Sequence, residues 1–239
     1  MLIGEDFDKI EFQFLGLDLV EPNALIGDLI ICFLSIYFAY KISSFHQTPF
    51  FKNWKYFFIT FSIGFFAGGL GHIFFNYWGV PGKYTSWFFG IISVFFIERA
   101  MLSIYPNEKV KSLLIKLFTV KFVVAILAEL LVISFVYLDD DPSIGMRVVT
   151  ANSTLGLIFC LAYLGYVYSK KITPSFLYLL YSVLIMFPSA IFVSMKISFH
   201  QWFDRNDASH VLLAVGLFFY FAAIKGYSSF IQESSIEKS

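Results

Sequence analysis

The sequence predicts an all-α membrane protein: a bundle of seven transmembrane helices with its N-terminus outside and its C-terminus in the cytoplasm. Three observations predict it. Hydrophobic residues make up 58% of the 239 and charged residues only 14%, against about 25% charged in an ordinary soluble domain. The apolar residues lie in runs of about 20, the length that crosses a bilayer core, and mean hydropathy is +0.74. Basic residues gather on alternate connections, as they do when those connections are cytoplasmic.

The first segment, "MLIGEDFDKIEFQF", is acidic and has no basic n-region, so no cleavable signal peptide is evident. Spans follow at about 22–42, 55–78, 84–105, 113–138, 147–168, 174–198 and 206–230. Polar, turn-rich stretches separate them: "HQTPFFKN", "GVPGK", "PNEKVKS", "DDDPSIG", "SKKITP" and "HQWFDR". Every backbone group inside a bilayer must be bonded within the protein, so each run has to be a helix. No repeat of solenoid period and no second domain interrupts residues 1–239. Cys32 and Cys160 sit deep in apolar runs and read as small core residues, not as a disulfide. With a formal net charge of zero, nothing points to nucleic acid.

Lys41, Lys52 and Lys55 flank the first connection, Arg99, Lys109 and Lys111 the third, and Lys170 and Lys171 the fifth, while Lys225 follows near the end of the last span. The acidic N-terminus, the run at 139–141 and the Asp204/Arg205/Asp207 loop lie on the other side. The positive-inside rule then sets the orientation stated above. The many Phe, Ile, Tyr and Lys residues suggest an AT-rich genome, and with it a bacterial inner membrane.

Direction converts position into depth at about 1.5 Å per residue. Asp28 in helix 1 and His72 in helix 2 come out roughly 9 Å below the outer boundary, Asn152 in helix 5 and His210 in helix 7 at roughly 6–8 Å, and Glu129 in helix 4 at about 14 Å. No such collection is expected in the inner half, where Glu98 and Arg99 are read as pairing or snorkelling. Charged groups in a bilayer cost several kcal/mol each and face the bundle interior, so these five are expected to share one polar site.

Asn206, Asp207 and His210 can share a helix face, and Gly68, His72 and Asn76 form a four-residue ladder. Two histidines and a carboxylate are a zinc-ligand set with one position left for water, which on such a metal ionises near neutral pH and attacks a carbonyl. No lysine or arginine lies at that depth in helices 1, 2, 5 or 7, so a metal would supply the charge that Asp28 and Asp207 need. The plainer reading makes Asn206 or Asp207 an N-cap of helix 7 and makes Gly64, Gly68 and Gly71 small-residue helix packing.

"EPNALIGDL" puts Glu21 at the opening of helix 1, "GGLGH" puts His72 at the end of helix 2, and "NDASHVLLAVG" puts His210 in the first turns of helix 7. In these positions the chain resembles the CREST superfamily of seven-helix membrane hydrolases, which includes alkaline ceramidases and adiponectin-type receptors. The acidic "GEDFDKIE" is similar to the calcium-binding N-terminal segment of the ceramidases. Gly68 stands where that family has serine, Asn206 where it has the first helix 7 histidine, and no aspartate follows His72 at the family spacing, the stretch reading "NYWGVPGKYTSW". The resemblance implies a metal-dependent hydrolase of a lipid amide or ester. Zinc would be held by His72, His210 and either Asp207 or His200, with Asp28 or Glu129 as general base or orienting carboxylate.

The alternative is a non-enzymatic seven-helix protein, a sensor, lipid-binding protein or receptor, using the same polar cavity. A membrane lipid is the substrate or ligand in either reading. A coupled transporter would use Asp28 and Glu129 but needs an inner opening. A retinal protein needs a lysine in the middle of the last helix, and Lys225 lies near its end. A reporter fused after Ser239 is expected to be active only on the cytoplasmic side, and activity outside would invert every depth given above.

Overall fold

The computed structural model describes residues 1–139, 141 and 143–236. Asp140 and Pro142 of the "DDDPSIG" connection, and the last three residues to Ser239, lie outside the described residues. Seven helical segments among these are long and apolar enough to span a membrane. They are α1 (Pro22–Ile42), α2 (Pro49–Ile73), a short α3 (Phe75–Trp78) with α4 (Tyr84–Ser103) after it, α5 (Glu108–Phe135), α6 (Ser143–Leu157) continued through a π-helical stretch (Ile158–Leu164) into α7 (Gly165–Lys171), α8 (Leu177–Ser194) and α9 (Arg205–Ile236). The spans match the sequence reading, and the second and fourth begin about one and a half turns earlier than expected. The second begins at Pro49, whose fixed φ and missing N–H suit a first helical turn. Asn107 caps the fourth by accepting the Val110 amide at 3.1 Å.

α1, α2, α4, the α6–α7 rod, α8 and α9 close into a ring through successive contacts, and α5 packs outside it against α4 and α6. Only Ala125 and Glu129 of α5 are buried. The two ends of the bundle differ in chemistry. At the end where α2 starts and α9 finishes, an aromatic core holds Phe38, Phe50, Trp54, Phe58, Tyr168, Phe176 and Tyr220, with Phe38 stacked on Phe221 at 4.6 Å. The other end, here termed the N-terminal face, carries the carboxylates and histidines that meet on α1.

Residues 1–20 fold over that face. The strands β2 (Glu11–Phe14) and β3 (Leu17–Val20) form a hairpin whose two turn residues, Leu15 and Gly16, both have positive φ, as the tight hairpin turn that matches strand twist requires. The strand β1 (Leu2–Ile3) pairs with β4 (Ile197–Ser198) in the connection between α8 and α9. Arg205 reaches Asp6 at 2.9 Å, and the Tyr77 hydroxyl accepts the Asp18 amide at 2.9 Å.

Glycine allows the closest approach of α2 to the following turn. A Cβ on Gly71 would stand 2.6 Å from the carbonyl oxygen of Gly82, and backbone there has nowhere to move. Gly71→Ala is therefore expected to destabilise by about 1–3 kcal/mol, as overpacking does. Gly216→Ala meets only the flexible Met186 thioether at 2.7 Å and should lose much less. Thermal unfolding of the two variants in detergent makes the comparison; equal losses would mean that the Gly71 contact is not tight.

Candidate functional site

α1 organises the N-terminal face. Glu21 precedes its first turn with φ and ψ both 53°, a left-handed conformation that costs a non-glycine residue about 1–2 kcal/mol. The amide of Glu21 donates to Ile10 O at 2.9 Å, which ties the hairpin segment to the helix start. Its carboxylate takes His72 Nδ1 at 2.8 Å and Lys9 Nζ at 3.4 Å. Lys9 also stands 4.1 Å from the centre of the Phe75 ring. Burial acts to raise the Glu21 carboxyl, but the His72 hydrogen bond and the charges of His72, Lys9 and Lys83 outweigh it and hold the group down at about 2.

Two helical turns on, Asp28 is 3% exposed. Its Oδ1 lies 3.4 Å from His210 Nε2 of α9. Among the described residues neither Asp28 Oδ2 nor His210 Nδ1 has a hydrogen-bond partner, and both atoms are buried. Glycines surround the pair. A Cβ on Gly27 would sit 2.7 Å from His210 Nδ1, one on Gly68 3.4 Å from Asp28 Oδ2, and one on Gly69 3.1 Å from Asp28 Cβ. The Phe65 ring stands edge-on to the imidazole, 5.7 Å between centres. The sequence read Gly68 as helix packing or as a replaced serine; in the fold it leaves room beside a buried carboxylate.

Asp207 does neither of the things expected of it. It is buried, yet it needs no cation: its Oδ2 accepts from Asn23 Nδ2 at 2.7 Å and from the Asp204 amide at 2.9 Å. Asp204 Oδ1 in return accepts the Asn206 and Asp207 amides at 2.6 and 3.1 Å. This is a reciprocal cap of the capping-box kind, with Asp204 as the capping residue in place of Asn206 or Asp207. His200 lies in an exposed turn, bridged to Phe203, its Nδ1 accepting the Trp202 amide at 3.1 Å.

The expected single site is thus divided. His72 and His210 both point to α1, but to carboxylates seven residues apart, about 10 Å along the helix axis. Zinc–ligand bonds are only about 2 Å long, and among the described residues no three of His, Cys, Asp and Glu are gathered so as to hold a metal ion. The proposed set of His72, His210, Asp207 and His200 is therefore not assembled, because Glu21, Asp28 and the helix cap each hold one member apart. Glu129 and Asn152 belong to a different wall. Glu129 is buried on α5, with neither carboxylate oxygen hydrogen-bonded among the described residues. Asn152 on α6 accepts Lys121 Nζ through both its backbone oxygen (3.0 Å) and its Oδ1 (2.6 Å).

The expected Glu98–Arg99 partnership is replaced by two others. Glu98 Oε1 lies 2.6 Å from Lys121 Nζ, and Arg99 donates to Thr119 at 2.9 Å. The reason is helical geometry, since adjacent residues do not face each other. Sequence reasoning missed Lys9, Asp204 and Lys121. Lys121 had a signal, a cation in the middle of the apolar "FTVKFVVAILAE", and Asp204 had one in its spacing of three from Asp207.

Near the mouth, Phe7, Asp8, Lys9, Ile10, Glu21, Asn23, Gln201 and Asp204 line a cavity of about 20 Å³, room for a single water. Fold and site together define an integral, multi-pass seven-helix membrane protein with two carboxylate–imidazole pairs hung from its first helix. Residues 24–229, all seven spans, match the model of a family of unknown function, DUF6962, and the chain belongs to that family. No curated protein and no solved structure matches the chain.

The Glu21 pair makes a pH prediction. A carboxyl held at about 2 against an ordinary 4.5 adds stability that is complete above 4.5 and is lost as pH falls towards 2. Thermal melts over that range should show a steep acid limb in the wild type and a shallower one in Glu21→Gln. Identical limbs would remove Glu21 from the account.

Proposed function

We propose that this protein is a non-enzymatic seven-helix membrane protein, a sensor or receptor, that binds a polar-headed lipid at the Asp28–His210 pair. One observation supports this above the others: a buried contact pair on which each partner keeps one atom unbonded, Asp28 Oδ2 and His210 Nδ1, with Gly27 and Gly68 packed beside them. An unmade hydrogen bond in a buried place costs about 1–3 kcal/mol, so two together favour a ligand that completes them. A group that both donates and accepts, such as an amide or a hydroxyl, fits that demand. The lysine distribution supports an N-terminal face on the outside and a cytoplasmic C-terminus.

The lipid hydrolase has one observation in its favour. Glu21 fixes His72 through Nδ1, leaving Nε2 as the free nitrogen, the orientation that a carboxylate gives to a metal-binding or basic imidazole. The donors present do not gather around one metal position, so no zinc-dependent step is derived from them.

Two measurements on protein in lipid nanodiscs separate these readings. Titration with a ceramide, which carries both an amide and a hydroxyl, should raise the unfolding temperature saturably, whereas a triacylglycerol should not. His210→Phe, which keeps the ring but not the nitrogens, should abolish the response. Equal responses to the two lipids would sink the proposal. Stoichiometric zinc in chelator-free protein, lost in His72→Ala and His210→Ala together with release of fatty acid, would put the hydrolase in its place.

A further inference from the structure

The two ends of α1 differ in charge as well as in packing. Glu21 precedes the helix and Lys41 stands in its last turn, about 20 residues and so about 30 Å further along. That is the thickness of a bilayer's hydrocarbon core. With Glu21 at one boundary of the core, Lys41 stands at the other. Two tyrosines mark that level on the outer side of α1: Tyr40 is 74% exposed and Tyr37 50%, rings of the amphipathic kind that gather where hydrocarbon meets headgroups. The Lys41 ammonium lies 5.4 Å from the centre of the Tyr37 ring. The same four-residue pairing recurs at the same end of the α6–α7 rod, where Lys170 stands 5.6 Å from the ring of Tyr166.

No Asp or Glu occurs in the sequence between Asp28 and Glu98. Lys41, Lys52 and Lys55 flank the connection from α1 to α2, and among the described residues none of the three is in an ion pair. Beside them Tyr40, Lys41, Ser43 and Ser44 line an open recess of about 380 Å³, within the size range of small-molecule sites. Bare carbonyls at a helix end repel an anion, but here they are covered. Ser43 Oγ donates to Ala39 O at 3.0 Å and Ser44 Oγ to Lys41 O at 2.8 Å. The Ser43 amide donates to Tyr40 O at 3.1 Å and the Phe45 amide to Ile42 O at 3.0 Å. Two groups in the recess are left without a hydrogen bond among the described residues, the Lys41 ammonium and the Tyr40 hydroxyl. A cation beside a neutral donor matches a phosphate diester, which brings a negative charge and acceptor oxygens.

We propose that the recess at the end of α1 binds the headgroup of an anionic phospholipid, with Lys41 as the counter-charge of its phosphate and Tyr40 donating to a phosphate oxygen. Tyr37, one turn deeper, stands at the level where the acyl chains begin. Lys52 and Lys55 add positive field, which favours an anionic headgroup over a choline headgroup that carries its own cation. The site lies about 20 Å along α1 from Asp28, so it stands or falls independently of a ligand there.

The test is native mass spectrometry of the full chain in detergent, titrated with phosphatidylglycerol or phosphatidylcholine of identical acyl chains. The wild type should bind its first phosphatidylglycerol more tightly than its first phosphatidylcholine. Lys41→Gln should weaken the phosphatidylglycerol complex about fivefold, the worth of one lysine at an anionic membrane surface, and leave phosphatidylcholine binding unchanged. Tyr40→Phe, which removes only the hydroxyl, should weaken the same complex by a smaller factor. Lys116→Gln removes an exposed lysine from α5, which packs against α4 and α6, and should leave the first phosphatidylglycerol in place. Equal wild-type affinities for the two lipids would overturn the proposal. So would equal losses in Lys41→Gln and Lys116→Gln, which would make the preference a property of net charge and not of the recess. Glycerol phosphate, which has no acyl chains, should not displace phosphatidylglycerol at equal concentration; displacement would overturn a lipid occupant in favour of a soluble phosphate ester.

Discussion

A charged carboxylate inside a bilayer is stable only with a partner within the protein, and, Glu129 apart, the helices are arranged around that requirement. Charged side chains at such depth cost several kcal/mol, while apolar surfaces have no preference for each other over lipid tails. Polar contacts therefore decide which helix faces which. Asp28 brings α9 against α1 through His210, and Glu21 brings the end of α2 to the start of α1 through His72. The same requirement docks α5, whose outer face is almost entirely lipid-facing Leu and Val: Lys121 to Glu98 and Asn152, and Arg99 to Thr119, hold it to α4 and α6.

The distribution of apolar side chains complements this. The half of the bundle without the α1 pairs is filled by stacked and edge-on aromatic rings, among them Phe50, Trp54, Phe58 and Tyr220. Aromatic pairs add about 0.5–1.5 kcal/mol beyond their buried area, and they interlock, so that half acts as a rigid base. The polar half carries unmade hydrogen bonds, glycine-lined gaps and the left-handed Glu21. The left-handed Glu21 and the unpartnered Asp28 and His210 atoms sit together on one side, opposite the aromatic base, although Trp54 Nε1 within that base is unpartnered as well.

The seven helices were legible because their signal, runs of about 20 apolar residues, is local and long. Depth was legible too, and it placed Asp28 with His210 correctly, since rise per residue is fixed. What depth cannot convey is direction around each helix. Asn152, nine residues into α6, lies deeper than Asp28 and faces Lys121, and Glu129 faces the α4–α6 wall, so one predicted site became two. Asp207 failed for another reason. Three residues after Asp204, it had the spacing of a reciprocal helix cap, and that local role took the side chain that a metal would have needed. Glu21 drew notice only through its motif position; its partners come from residue 9 and residue 72, and no periodicity connects those.

The pairing of residues 2–3 with residues 197–198 joins the beginning of the chain to the last connection. A ribosome makes the N-terminal strand first and its partner nearly 200 residues later. Through all of that interval the hairpin can already rest on Tyr77, but Leu2, Ile3 and Asp6 have no docking surface, because the strand at 197–198 and Arg205 that receive them do not yet exist. The N-terminal face is therefore the last part of the molecule to close. Closure needs the seventh helix in place, which makes the strap a fold-back clasp reporting that insertion of the whole bundle is complete.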